Sequence, residues 1–277
     1  MSDSFSSVTS FLDFSGKTAL VTGVLDDHSI AWPIAKYLND AGAHVAISIQ
    51  RKAVKRLMGN ILDQLRDPLL VECDVSQDEA IPKMVNEVGA AFGHLDFLVH
   101  SIAYAPPSSF QTRFVDITRA DFVLALDVSA YSLIALARGT LPLMQERGGC
   151  ILALSYLAAE KVIPGYQLMS IAKAALENII RNLAFDLAQH RIRVNGLSPG
   201  PISTKAATSI PGFSLMHEHF QSFSPLQQEV TTTDVGKTAL FLCSPMAEKI
   251  TGEIVHIDGG YNILGMTIKP PEGMDVR

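Results

Sequence analysis

Short, nearly unbroken apolar runs alternate along the chain with longer stretches in which apolar residues return every three or four positions. The short runs are TALVT from Thr18, HVAISI from His44, LLVEC from Leu69, LDFLVH from Leu95, CILAL from Cys150, RVNGL from Arg193 and IVHID from Ile254. Runs that are continuous rather than alternating predict parallel strands covered on both faces. The helical pattern predicts helices over roughly 30–41, 53–65, 78–92, 119–144, 165–189 and 232–243. Repeated β-α units of this kind predict one α/β domain: a doubly wound, Rossmann-like, mostly parallel seven-stranded sheet with helices on both faces. No internal repeat or linker interrupts it, so the domain is expected over 14–266, with short tails at 1–13 and 267–277. One region, Ser203 to Glu229, fits the alternation poorly. It is rich in Ser, Phe, Met and His and follows a strand end, which suggests a lid near 204–220; an ordinary surface insertion fits equally well.

Composition narrows the function classes. With 277 residues and 48% hydrophobic positions the chain can bury a sizeable core. The net charge of −6 argues against a nucleic-acid partner, and RKAVKR, from Arg51, is only a local basic exception. Three cysteines, Cys73, Cys150 and Cys243, are odd in number and far apart. That disfavours a disulfide framework and a zinc site and fits a reducing cytoplasmic setting. The longest apolar stretch, FVLALDVSAYSLIALA from Phe122, is broken by Asp127 and two serines, so a buried or interface helix is expected rather than a membrane span. The start, MSDSFSSVTS, lacks the basic and apolar regions of a targeting peptide and reads as a flexible tail.

The first candidate site is LVTGVLDDHSIAWPIAKYL, from Leu20. A strand ends, Gly23 makes the exit, and Ser29 is placed to cap a helix starting at Ile30. The backbone N–H groups of that turn would face a pyrophosphate. An ordinary strand-to-helix turn is the competing reading, because one glycine stands where dinucleotide sites usually carry three. Asp26 and Asp27 lie where phosphates would sit and count against binding unless they turn to solvent. Pro33 removes a helical bond to the Ser29 carbonyl and leaves no glycine for close helix packing. At the second strand end, Gln50 suits a ribose hydroxyl, whereas Arg51 and Lys52 suit a 2′-phosphate, so NADH and NADPH both stay open. Asp74, in CDV, is placed to accept from an adenine amino group, with Val75 beside it. The small residues of HSIAYAP, from His100, allow close backbone approach. Singly these signals are weak. Together they fall at the carboxyl ends of successive strands, where such sheets bind ligands.

The most informative segment is LSYLAAEKVIPGYQLMSIAKAALE, from Leu154. Tyr166 and Lys173 are two helical turns apart, so they share a face with ~10 Å between them. Tyr156 lies just beyond the fifth strand and is placed to join them. This segment resembles the divergent branch of the short-chain dehydrogenase/reductase superfamily, the enoyl-acyl-carrier-protein reductases. Most of that superfamily carries a tyrosine four residues before the lysine, where this chain has Met169; the divergent branch uses Tyr-x6-Lys with a second tyrosine ten residues earlier, as Tyr156, Tyr166 and Lys173 are spaced. Gly23 followed by SIAW, then CDV, HSIAYAP, RVNGLSPGPIST and TGEIVHIDGGYNILGM, match the branch's blocks in order over about 14–266. Pro33, where the branch usually has glycine, and Asp26 and Asp27, where acids are uncommon, depart from it.

The resemblance implies reduction of a trans-2-enoyl thioester on acyl carrier protein, in type II fatty-acid synthesis, by a nicotinamide cofactor. Tyr166 would stabilise the enolate, Tyr156 would assist, and Lys173 would hold the nicotinamide ribose. It implies cofactor contacts at Gly23, Ser29, Ile30, Gln50, Asp74, Val75, Ile102 and Lys173, and along Ile202, Ser203, Thr204, Lys205 and Ala206. Ala105, Tyr156 and Tyr166 would line the acyl site, under a lid whose Ile210, Phe213, Leu215, Met216 and Phe220 form an apolar cover. It also implies a homotetramer with no membrane partner. His28, His217 and His219 are read as solvent-facing or packing residues and no metal is expected. A carbonyl-reducing relative and a non-catalytic nucleotide sensor are the alternative functions; Met169 argues against the first and the intact tyrosine–lysine set against the second.

Overall fold

Seven mostly apolar strands form one wholly parallel sheet in the computed structural model, which describes residues 8–51, 58, 60–208 and 210–268. The strands are β1 (Thr18–Thr22), β2 (His44–Ile49), β3 (Leu69–Glu72), β4 (Phe97–His100), β5 (Gly149–Leu154), β6 (Ile192–Pro199) and β7 (Ile254–Ile257), ordered β3-β2-β1-β4-β5-β6-β7. Strand order reverses between β1 and β4, so a crevice opens beyond their carboxyl ends. Registers place Thr18 beside His44, Ala19 beside Phe97 and Phe97 beside Cys150.

Successive residues of a strand point to opposite faces, and both faces are buried. Ala19, Val21, Phe97, Val99 and Leu152 pack on one side, beneath α1 (Ala31–Asp40) and α8 (Thr232–Cys243). Leu20, Leu98, Ile151 and Ala153 pack on the other, beneath α2 (Ala80–Phe92), α4 (Ser132–Met144) and α5 (Gln167–Leu187). Helix α8 begins with a reciprocal cap in which Thr231 and Asp234 satisfy each other's backbone amides.

The structure refines four of the expected elements. The helix expected over 119–144 is α3 (Arg119–Leu126), a π turn (Asp127–Tyr131) and α4, in continuous succession. Its 26 residues are long and apolar enough, by length and composition alone, to cross a bilayer; Leu133, Leu136, Ala137 and Met144 instead pack into the core. The segment from Ser203 to Glu229 is largely helical, with α6 (Lys205–Thr208) and α7 (Phe213–Phe223). Of the helix expected over 53–65, residues 53–57 and 59 lie outside the described residues, and Ile61–Gln64 is a 3-10 turn. The described part of the expected N-terminal tail holds a 3-10 turn, Val8–Leu12, and Phe14, the first residue beyond that tail, is buried.

Pro33 is accommodated from the opposite helix. A Cβ on Gly236 of α8 would stand 2.9 Å from the Tyr37 ring and 3.0 Å from Pro33 Cβ. The small residue that lets α1 pack closely is therefore supplied by α8. Gly236→Val should cost about 1–3 kcal/mol by overpacking, seen as a fall in Tm of several °C; an unchanged Tm would show that the two helices separate freely.

Candidate active site

The turn after β1 is set by backbone geometry. Gly23 has φ +82°, and a Cβ there would lie 1.9 Å from the Ser101 carbonyl oxygen. Only glycine permits that approach of β1's exit to β4's exit. Thr22 locks the same junction: its hydroxyl donates to the Val99 carbonyl at 3.0 Å and accepts from the Ser101 amide at 3.1 Å.

Ser29 does not cap α1 as expected. Helix α1 starts at Ala31 with Ile30 before it and no side-chain cap. The Ser29 hydroxyl turns back and accepts from the amides of Leu25 (2.9 Å) and Asp26 (3.1 Å), drawing the turn into a closed loop. Asp27 is exposed beside His28, whereas Asp26 is buried and bound to Lys205 at 2.6 Å. The two acids that looked alike in sequence thus lie in opposite environments.

Across the crevice, β5 and α5 converge on Lys173. Its side chain is buried, and among the described residues its one hydrogen bond goes to the Leu154 carbonyl at 2.6 Å. Two ammonium protons remain for the cavity. Burial pushes the Lys173 pKa down to about 8, opposed by Glu177 one turn along. Glu177 is buried too and accepts from the Ser155 hydroxyl at 2.6 Å; burial raises its pKa and that bond works against the rise. His100 lies beneath, fully buried. Ser132 donates to the Val128 carbonyl at 2.7 Å, so its oxygen accepts the His100 Nε2 proton at 2.8 Å. Burial, then the Lys173 charge, pushes His100 down to about 3, and it is neutral at physiological pH.

Tyr166 differs from its expected place on the face of the long helix. It stands at the residue preceding α5, and the chain enters the helix through Gln167 at φ +31°. A non-glycine residue held there stores strain of order 1–3 kcal/mol, a feature that clusters at functional sites. The Tyr156 and Tyr166 rings meet at 4.8 Å, and the Tyr156 hydroxyl donates to Met216 Sδ at 3.1 Å. Burial raises both phenols well above their ordinary range, with Tyr261 adding to Tyr156 and Tyr156 adding to Tyr166. Both remain protonated donors.

These groups line a cavity of about 830 Å³ that runs along the strand ends. Its wall includes Gly23, Ser29, Ile30, Gln50, Asp74, Val75, Ile102, Ala105, Tyr156, Tyr166, Lys173, Ile202, Thr204, Lys205 and Ala206. Ser203 is outside it and exposed. Gln50 donates to Asp74 at 3.0 Å, so these two residues form one polar unit. Burial would raise Asp74, but the Ser76 hydroxyl and amide, then Gln50 and Arg51, hold it below the ordinary carboxylate range. Lys52 lies outside the described residues. From the lid, Ile210, Phe213 and Met216 face the cavity, while Leu215 is exposed and Phe220 is buried against Gly200 and Tyr261. Met169 packs with Ala105, Leu168 and Ala172. His217 stacks on Phe213, His219 lies tilted against Phe223, and His28 is exposed.

Sequence reasoning missed the supports beneath the site. The π turn projects Ser129 and Ser132 from adjacent turns of one helix: Ser132 holds His100, and Ser129 accepts from the Tyr104 amide and donates to its carbonyl, both at 2.9 Å. Asp127 and two serines inside an apolar run were the available signal, read there only as an interruption.

A doubly wound parallel sheet with this tyrosine–lysine arrangement at its switch point is that of the short-chain dehydrogenase/reductase type. Residues 23–262 match the family model described as enoyl-(acyl carrier protein) reductase. The chain is 47% identical over 251 residues to the NADH-dependent enoyl-[acyl-carrier-protein] reductase of Aquifex aeolicus, covering 91% of this chain and 93% of that protein. It is 40% identical to the Escherichia coli enzyme of the same name, covering 91% and 96%. The Aquifex aeolicus crystal structure superposes with a TM-score of 0.88 at 46% identity, over 92% of this chain and 99% of that one. An Anaplasma phagocytophilum reductase in complex with NAD gives 0.88 at 38%, over 92% and 97%. A Bacillus cereus reductase with NADP+ and indole naphthyridinone gives 0.89 at 39%, over 92% and 99%. The chain belongs to the enoyl-(acyl carrier protein) reductase family.

The buried lysine makes a pH prediction. With its folded pKa near 8 against 10.5 for a free lysine, Lys173 holds fewer protons folded than unfolded between those values. Stability therefore rises with pH across that window. Relative to Lys173→Met, the wild type should gain about 3 kcal/mol between pH 7.5 and 10.5 in urea unfolding; identical pH dependence in both proteins would contradict a charged, buried lysine.

Proposed function

We propose that this chain reduces the trans-2 double bond of enoyl thioesters carried on acyl carrier protein, with NADH, in type II fatty-acid synthesis. The observation that carries the reading is the pair of half-buried, protonated tyrosines in contact at 4.8 Å, in one cavity with a buried lysine ammonium. A dinucleotide suits the cavity: its volume of about 830 Å³ lies in the usual range for ligand sites, and its wall combines apolar surface with a few convergent polar groups.

When bound, the reduced nicotinamide supplies a hydride to the β-carbon of the enoyl group. Negative charge then develops on the thioester oxygen, and the Tyr166 hydroxyl donates to it, with Tyr156 as second donor or pocket wall. Because burial keeps both phenols protonated, they act as hydrogen-bond donors rather than as bases. Lys173 turns its free protons to the nicotinamide ribose, and its charge favours anion nearby. Ser29, Ile30, Ile202, Thr204, Lys205 and Ala206 would hold the pyrophosphate and nicotinamide amide, and Val75, Ile102 and Asp74 the adenine. Ile210, Phe213 and Met216 cover an acyl chain, where each buried methylene contributes about 0.8 kcal/mol. We place the enzyme in the cytoplasm as a homotetramer, with the exposed apolar side chains Val123, Tyr131 and Phe185 at subunit contacts.

Tyr166→Phe removes one hydroxyl and little volume. NADH affinity should survive while turnover of crotonyl-CoA falls about 10²-fold, the scale for losing one such donor. Full activity in that variant would remove Tyr166 from the chemistry. No turnover of any enoyl thioester by the wild type would favour a nucleotide sensor instead.

The preference for NADH rests on Gln50 and Asp74. Their joined side chains put a carboxylate at the ribose end, and Arg51 lies within its field. A 2′-phosphate would be repelled by that carboxylate. Catalytic efficiency should be at least tenfold higher with NADH than with NADPH, and the reverse ratio would overturn the assignment.

A further inference from the structure

Asp26 and Lys205 come from parts of the chain that the fold could have left independent. Asp26 sits in the turn after β1, and Lys205 opens α6, just beyond β6. The carboxylate is 9% exposed. Its Oδ1 accepts from the His28 amide at 3.0 Å and the Ser29 hydroxyl at 3.3 Å. Its Oδ2, among the described residues, meets only the Lys205 ammonium, at 2.6 Å. Lys205 is 62% exposed and lines the same cavity as Gly23, Ser29 and Ile30.

The two anchors differ in rigidity. The Asp26 turn is fixed to the sheet through Gly23, Thr22 and Ser29. Lys205, by contrast, begins the segment leading to α7, which meets the site through Phe213 and Met216 and is pinned farther on by Phe220 against Gly200. The ion pair therefore fastens the near end of the lid, as Phe220 fastens the far end. A bare carboxylate beside a pyrophosphate would repel it; an ammonium held on that carboxylate keeps two protons for a second anion.

We propose that Asp26 is a positioning residue for cofactor binding: it holds the Lys205 ammonium at the cavity wall, where Lys205 neutralises the dinucleotide pyrophosphate and ties the start of the lid to the phosphate turn. The proposal rests on the dinucleotide reading above, but its readouts are binding and lid protection rather than turnover. Loss of the enoyl reaction would leave it standing on those readouts.

Its sign separates it from simple electrostatics. Removing a negative charge near an anion site should tighten NADH. Positioning requires the opposite, because Asp26→Asn frees a long, exposed lysine whose rotamer entropy must then be lost on binding. The test uses the full-length wild type, Asp26→Asn, Lys205→Met and the double variant. NADH affinity is read by nucleotide fluorescence, and amide exchange is followed across Phe213–Phe223. Asp26→Asn should weaken NADH about three- to tenfold and speed exchange in α7. Lys205→Met should weaken it at least as much, and the double variant no further than Lys205→Met alone, as expected of residues acting through one contact. Unchanged or tighter NADH binding by Asp26→Asn, or losses that simply add in the double variant, would overturn the proposal. Lys205 is exposed, so Lys205→Met keeps the test valid should Asp26→Asn fold poorly.

Discussion

A single ammonium group taken out of water organises the centre of this molecule. Burying Lys173 is costly, and the cost is tolerated because three elements converge on it. The end of β5 gives it the Leu154 carbonyl at 2.6 Å, its own helix sets Glu177 one turn away, and β4 brings up a histidine kept neutral at its back. Each partner is itself fixed. Glu177 is held by Ser155, beside Leu154 in the chain, so the contacts to Lys173 and Glu177 come from adjacent residues of one loop. The next residue is Tyr156. The network that makes the buried charge tolerable thus also sets the backbone from which one of the two tyrosines projects.

The sheet provides the opening into which that charge points. Parallel strands end on one side, and the reversal of order between β1 and β4 parts the following loops. What keeps the gap from collapsing or widening is local. Gly23 lets two backbones touch, Thr22 bridges them, and the π turn sets Ser129, within it, and Ser132, just after it, against Tyr104 and His100. A regular α-helix would displace one of these serines by the extra residue of the π turn, leaving either His100 or Tyr104 without its partner.

Much of this was legible in the sequence, for a physical reason. Continuous apolar runs report burial on both faces, which is what a parallel sheet imposes on its strands, so all seven strands could be placed to within about two residues. The tyrosine–lysine spacing could be read because it is set within one stretch of chain. The caps and turns were less legible. Ser29 has the chemistry of a helix cap and uses it on Leu25 and Asp26 instead, because either donor set satisfies the same oxygen. Tyr166 was read as helical because the apolar period runs through it, whereas Gln167 turns the backbone there at φ +31°. The composition of Ser203 to Glu229 set that segment apart but showed neither its two helices nor which residues face inward.

The three departures from the family pattern raise one question: how the turn after β1 accommodates two acids and a helix-disfavouring proline. Two of the three answers lie elsewhere in the chain. Pro33 is matched by Gly236, Asp26 by Lys205, and Asp27 needs no match because it lies in solvent. Local reading cannot pair residues so distant in sequence, so it registers each member alone as an anomaly. Contact between them changes the inference, because a residue that is unfavourable by itself can become favourable once its partner is present. Asp26 without Lys205 would be a buried, unpaired charge; Lys205 without Asp26 would be an unanchored surface cation. Together they connect the turn to the start of the lid, a coupling that neither residue type provides alone.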